Sequence, residues 1–193
     1  MKIVVLGAAG QLGGAIVEAA GRHDTTAFRR ADLDVTDSAA LTRALTAAAP
    51  DCIINGSAFA NVDAAEDAPV AAMAVNALAV RTLARIATSL NAILVHYSTD
   101  FVFDGVAPGL HPETLTPNPS GVYASSKLLG EWFAAETPRH YILRVESLFG
   151  GAAAKSSVDT LLNGILEGRT RSLGFCRLIK KPQALRDQCI GIG

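Results

Sequence analysis

Five short apolar runs punctuate the chain, and stretches with helical spacing separate them. Lys2-Ile3-Val4-Val5-Leu6 stops at Gly7 and reads as a buried parallel strand. Leu12, Ala15, Ile16 and Ala19 then recur at helical intervals as far as Gly21, a residue suited to end a helix. A weaker strand is predicted over residues 25–28. Asp37 or Ser38 can cap a helix that carries Leu41 and Leu45 and ends at Pro50. Cys52-Ile53-Ile54 is the third strand, closing at Asn55-Gly56. The pattern then predicts a long alanine-rich helix over 69–90, a strand over 92–97, a Pro- and Gly-rich loop over 104–120, a helix over 123–135 and a fifth strand over 141–145. In a last helix, over 157–167, Ser157 can cap, Val158, Leu161, Leu162, Ile165 and Leu166 share one face, and Gly168 can stop it. Strands alternating with helices imply an α/β fold, a doubly wound parallel sheet with right-handed crossovers.

Composition sharpens this. The 193 residues fit one domain, and 50% hydrophobic with 18% charged residues excludes a disordered chain. Aromatic residues make up only 6%, so small and β-branched side chains must build the core. The apolar stretch 68–80 is short for a bilayer and holds Asn76, so no membrane partner is expected. Residues 1–10 read as strand and turn rather than a signal peptide. Cys52, Cys176 and Cys189 fit neither a disulfide framework nor a metal site, which points to a reducing cytoplasm. The net charge is −1 but uneven: residues 169–193 hold six Lys/Arg and one acid, whereas residues 1–168 carry eleven bases and seventeen acids. The acidic body argues against nucleic acid. The expected organisation is a dinucleotide-binding domain over 1–168 and a divergent basic tail over 169–193.

Gly7, Gly10 and Gly13 bracket Gln11 and Leu12 in a G-x-x-G-x-x-G turn between strand and helix. Such a turn lets the backbone approach a pyrophosphate and aims a helix N-terminus at it. Arg29 and Arg30 follow the second strand, and guanidinium groups suit a 2′-phosphate, so NADPH is the expected cofactor unless both arginines are merely solvated. Asp32 and Asp34 leave NADH open, and Asp34-Val35 is placed to read an adenine edge. Asn55, Gly56, Ser57 and Ala58 end the third strand, either lining the cofactor crevice or forming a plain turn. Tyr123 and Lys127 stand at i and i+4 on one helix face, where an ammonium lowers the phenol pKa and makes Tyr123 a usable acid. Thr99, ending the fourth strand, can hydrogen-bond a substrate carbonyl beside it. His96 and Cys52 read as core residues, and Asp63 and Glu66 as helix N-terminal charges rather than metal ligands.

Several strings in order resemble the dTDP-4-dehydrorhamnose reductase family of extended short-chain dehydrogenases/reductases. They are the glycine turn, Asp32-Leu33-Asp34-Val35-Thr36-Asp37, Val62-Asp63-Ala64-Ala65-Glu66, Val75-Asn76, Ser98-Thr99-Asp100-Phe101-Val102-Phe103-Asp104-Gly105, and Tyr123 with Lys127. The resemblance covers residues 1–168. It implies an NAD(P)-binding Rossmann fold and an oxidoreductase that reduces the 4-keto group of a nucleotide-linked deoxysugar in dTDP-L-rhamnose biosynthesis. By it Tyr123 is the acid, Lys127 also holds the nicotinamide ribose, and Thr99 polarises the carbonyl. A nucleotide-sugar is the implied partner, and a homodimer is compatible with it. Ala124 and Phe101 depart from the family's usual glycine and tyrosine. Family members are longer, their C-terminal portion forming the lobe over the sugar, so the expectation is a truncated or frameshifted product of weak turnover. The competing readings are a non-catalytic dinucleotide-binding regulatory or scaffold protein, and an epimerase or dehydratase of the same superfamily.

Overall fold

Lys2–Leu6 (β1), Asp24–Phe28 (β2), Cys52–Asn55 (β3), Ile93–Thr99 (β4) and His140–Val145 (β5) form one parallel sheet in the order β2-β1-β3-β4-β5. This is a computed structural model, and it describes residues 1–106, 111–146, 148–150, 159, 163, 166 and 167. The crossovers are Gln11–Ala19 (α1), Ser38–Ala48 (α2), a connection holding Val62–Asp67 (α3), Pro69–Met73 (α4) and Ala79–Ser89 (α5), and finally Gly121–Ala135 (α6). The doubly wound parallel sheet is as the pattern implies. The predicted helix over 157–167 and the tail from 169 fall largely or wholly outside the described residues.

Burial alternates along β4. Leu94, His96 and Ser98 are buried, while Ile93, Val95 and Tyr97 are half-buried. The buried face packs with Val4, Leu6 and Ile53 against Leu41 and Leu45 of α2 and Val80, Leu83, Ala84 and Ala87 of α5. On the opposite face Ile3, Val5 and Cys52 pack with Ile16 and Val17 of α1 and with Ala20. Leu83 is fully buried, and truncating such a leucine to alanine costs about 2–5 kcal/mol. Cys52 is a buried free thiol, its pKa pushed up by burial.

The winding reverses between β1 and β3, so the crevice at their carboxyl ends is where such sheets take ligands. Local signals set most element ends. The Asp37 carboxylate accepts from Ala39 N and Ala40 N and starts α2, and Pro69 opens α4. The long helix is not the uniform α-helix predicted: a π turn, Ala74–Leu78, joins α4 to α5. Pro69–Ser89 is long and apolar enough to cross a membrane, but half of its most apolar window is buried within the fold. The strand predicted over 92–97 runs on to Thr99, which sets that residue at the edge of the crevice.

Candidate active site

The glycine turn is built by steric necessity. Gly7 adopts φ +76, and a Cβ there would lie 2.8 Å from the Gly56 carbonyl atoms and 2.9 Å from Ser57 N. A Cβ on Gly13 would overlap the Gly7 carbonyl, and one on Gly56 would press on Leu6 O at 3.0 Å. The glycine turn, the head of α1 and the end of β3 therefore pack backbone to backbone. Gly10 caps α1 without a side-chain bond, and no acid occupies the first turn. The first N–H groups of α1 and the positive end of its dipole are left for an anion. Gln11 Nε2 donates to Gly150 O at 2.8 Å and so ties the chain beyond β5 to the head of α1. Leu12 is half-buried beside it.

At the end of β2 the structure splits the two arginines that the sequence placed together. Arg29 Nε and Nη2 donate to the Asp32 carboxylate at 2.8 and 3.0 Å. That bond is the main reason the Asp32 carboxyl is pulled down to about 2. Arg30 is exposed and forms no ion pair among the described residues, which leaves its guanidinium for a ligand. Asp34 is exposed and accepts from Thr36 N and Oγ1 at 2.9 and 2.7 Å, while Val35 packs against the core.

The four residues ending β3 also divide. Asn55 is buried, and its Oδ1 accepts from Ser57 N at 3.1 Å. Its Nδ2 is thereby the donor toward His96 Nδ1, 3.2 Å away. His96 is fully buried, and burial first, then the Lys127 charge, holds its pKa down to about 3. It is the neutral core histidine expected. The Asn55 side chain thus works inside the sheet, while Gly56 abuts the glycine turn, Ser57 is half-buried and Ala58 is exposed.

Thr99 ends β4, and Tyr123 and Lys127 stand one turn apart on α6, Lys127 being bonded to β4. Thr99 Oγ1 accepts from Phe101 N at 3.2 Å and caps the 3-10 turn Asp100–Val102. It donates to Asp100 Oδ1 at 3.2 Å, and its influence on the Tyr123 phenol is to lower that pKa. Phe101 stacks edge-on against the Tyr123 ring at 6.0 Å. Lys127, 3% exposed, donates from Nζ to Tyr97 O at 2.5 Å. Here the electrostatics differ from expectation. Burial is the largest influence on Tyr123 and raises its pKa; Thr99 opposes it and Asp100 adds to it, and Lys127 is not among the influences. Burial also pulls Lys127 down to about 8, against the attraction of Glu131.

Two residues that matter here were not singled out as positioning groups from the sequence. Glu66 has the position of a charge for its own helix, yet its Oε1 accepts from Val122 N at 2.7 Å and caps α6 one residue before Tyr123. Ser120, the N-cap residue, makes no such bond, and Gly121 takes φ +88, with room for a Cβ blocked by that carboxylate. Asp63 does sit in the first turn of α3. Asn76, buried in the π turn, donates to Phe59 O and Ser126 Oγ at 3.1 and 2.9 Å and accepts from Phe59 N at 2.8 Å. It pins the segment after β3 to α6. A π turn with a functional neighbourhood is a recurrent pairing. The available signal was a lone asparagine in an apolar run.

The chain matches the family model described as RmlD substrate binding domain over residues 1–172. It is 38% identical over 167 residues to a dTDP-4-dehydrorhamnose reductase of Mycobacterium tuberculosis, covering 83% of this chain and 54% of the relative. This chain belongs to the dTDP-4-dehydrorhamnose reductase family. The Burkholderia thailandensis reductase is 36% identical over 163 residues, 84% of this chain and 55% of its own. A solved Bacillus anthracis dTDP-4-dehydrorhamnose reductase in complex with NADP superposes with a TM-score of 0.82 at 31% identity, covering 86% of this chain and 60% of that one. The chain therefore spans about half the length of the curated relatives it matches.

Proposed function

We propose that this chain carries the cofactor-binding and proton-donating half of an NADPH-dependent reductase acting on the 4-keto group of a nucleotide-linked deoxysugar, in the cytoplasm. The observation that carries the reading is that Thr99, ending β4, and Tyr123, packed edge-on against Phe101 of the turn Thr99 caps, lie on the same rim of the sheet as the Gly7–Gly13–Gly56 turn. The residues fit the cofactor. A Cβ at Gly7 or Gly13 would collide with the backbone of the turn, so only glycine lets the chain pass this tightly from β1 to the head of α1, and that uncapped head suits a pyrophosphate. Arg30 supports the choice of NADPH, with Arg29 held back by Asp32.

NADPH, when bound, supplies the hydride. The chain does the rest. Thr99 donates a hydrogen bond to the carbonyl oxygen of the sugar, and Tyr123 gives that oxygen a proton. A phenol raised by burial is fully protonated at neutral pH, which suits a donor. Lys127, one helical turn along α6 and bonded to Tyr97 O, is the residue that would hold the nicotinamide ribose.

Calorimetric titration with NADPH and then NADH, at one salt concentration, tests this. Tighter binding of NADPH is expected, and a folded chain that binds neither overturns the reading. The chemistry is tested by following NADPH consumption with dTDP-4-dehydro-6-deoxy-L-mannose. Turnover that persists unchanged in Tyr123→Phe removes Tyr123 from the role of acid.

A further inference from the structure

Tyr123 is the third residue of α6, so the placement of its phenol depends on how that helix begins. The chain arrives from a loop held at Asn118, whose N donates to Val102 O and whose Nδ2 donates to Asp104 Oδ2, each at 2.9 Å. Ser120, in the N-cap position, offers no side-chain bond. The cap comes instead from the crossover between β3 and β4: Glu66, near the end of α3, accepts from Val122 N at 2.7 Å. The approach is close enough that a Cβ on Gly121 would lie 2.7 Å from Glu66 Oε1. The same crossover holds this turn at its other end. Asn76 donates to Ser126 Oγ at 2.9 Å, and Ser126 Oγ donates to Tyr123 O at 2.7 Å. Residues 122–126 are therefore fixed at one end by a buried amide and at the other by a single exposed carboxylate.

α3 starts just past the Asn55–Ala58 segment, with Asn61 Oδ1 accepting from Ala64 N at 3.0 Å. Glu66 thus extends that segment's helix to the turn that carries Tyr123. We propose that Glu66 is a positioning residue for the Tyr123 acid: its bond to Val122 N sets the first turn of α6 so that the Tyr123 ring lies edge-on against Phe101, in the turn that Thr99 caps. This rests on the reading of Tyr123 as the proton donor. The first N–H groups of a helix have no partner within it, and an uncapped first turn frays. Tyr123 lies in that turn. One edge contact with Phe101, at 6.0 Å between centroids, is too weak to hold it alone. Misplacing a reacting group by about 1 Å costs roughly a hundredfold in rate, so the turn must be held more firmly than fraying allows.

The test is NMR of the 13C-tyrosine-labelled full chain. It holds three tyrosines, Tyr97, Tyr123 and Tyr141, and Tyr123→Phe assigns the ring signal in question. Phe101→Leu gives the position of that signal without the neighbouring ring. In Glu66→Ala the Tyr123 signal should move about halfway or more toward its Phe101→Leu position, while Tyr97 and Tyr141 stay. In Glu66→Gln, which keeps an acceptor, it should stay close to the parental position. If Glu66→Ala does not fold, Glu66→Asp, one methylene short of Val122 N, takes its place with the same expected movement. A cap that only adds stability would lower the urea midpoint and leave the Tyr123 signal in place, which overturns the proposal. A Glu66→Gln chain whose signal moves as far as that of Glu66→Ala overturns it too, because the charge and not the bond would then be responsible. NADPH consumption by Tyr123→Phe reads the acid role separately: unchanged turnover removes that role, while the ring signal still decides whether Glu66 sets the ring.

Discussion

Replacing Lys127 by methionine should make the protein more stable at neutral pH while removing its function. The ammonium is buried, and its pKa falls from 10.5 to about 8. That shift corresponds to roughly 3 kcal/mol of unfavourable free energy carried by the charged lysine in the folded state. Methionine has similar length, no charge to desolvate and good packing tolerance. The loss is the bond to Tyr97 O, and an unpaired carbonyl costs about 1–2 kcal/mol. Net stabilisation at pH 7 is therefore about 1–2 kcal/mol. Between pH 8 and 10.5 the unfolded chain binds the proton that the folded chain has released, so the parent protein gains stability from this group as pH rises. About 2 of the 3 kcal/mol is recovered by pH 9.5. Urea unfolding of both proteins at pH 7 and 9.5 reads this directly, and the difference between them removes the common titration of Tyr97, Tyr123 and Cys52. The variant should lead at pH 7 and lose that lead at pH 9.5. A difference that stays constant across the two pH values would refute the assignment of the cost to a buried charge.

Gly13→Ala should weaken NADPH binding by more than tenfold and cost about 1–3 kcal/mol of stability, because the new Cβ overlaps the rigid Gly7 carbonyl; calorimetry and urea midpoints check it. Glu66→Ala should cost about 1–2 kcal/mol in urea unfolding by stranding Val122 N at the head of α6, whereas Glu66→Gln, which keeps an acceptor, should cost less than half as much. Arg30→Ala should cut the preference for NADPH over NADH by about tenfold, while Asp32→Ala should free Arg29 and increase that preference, both read as ratios of dissociation constants.

The strands, their parallel arrangement and the dinucleotide turn were legible in the sequence because they follow from local rules. An apolar run closed by glycine, a 3.6-residue period and a tyrosine four residues before a lysine each fix geometry within a few residues. Capping by Asp37 belongs to the same class. What the sequence left open depends on partners far along the chain. Glu66 caps α6 from 56 residues upstream, and Asn76 reaches Ser126 across 50 residues. Asp32 claims Arg29 although three residues apart, because the turn after β2 folds its carboxylate back onto the guanidinium. The π turn arises in a stretch whose composition reads as ordinary helix, where Asn76 must serve two neighbours at once. Most of all, the pKa values of Tyr123 and Lys127 were beyond sequence reasoning. Spacing puts the two residues on one helix face, but burial is the largest influence on both, and burial exists only once β4, β5 and α6 have closed around them.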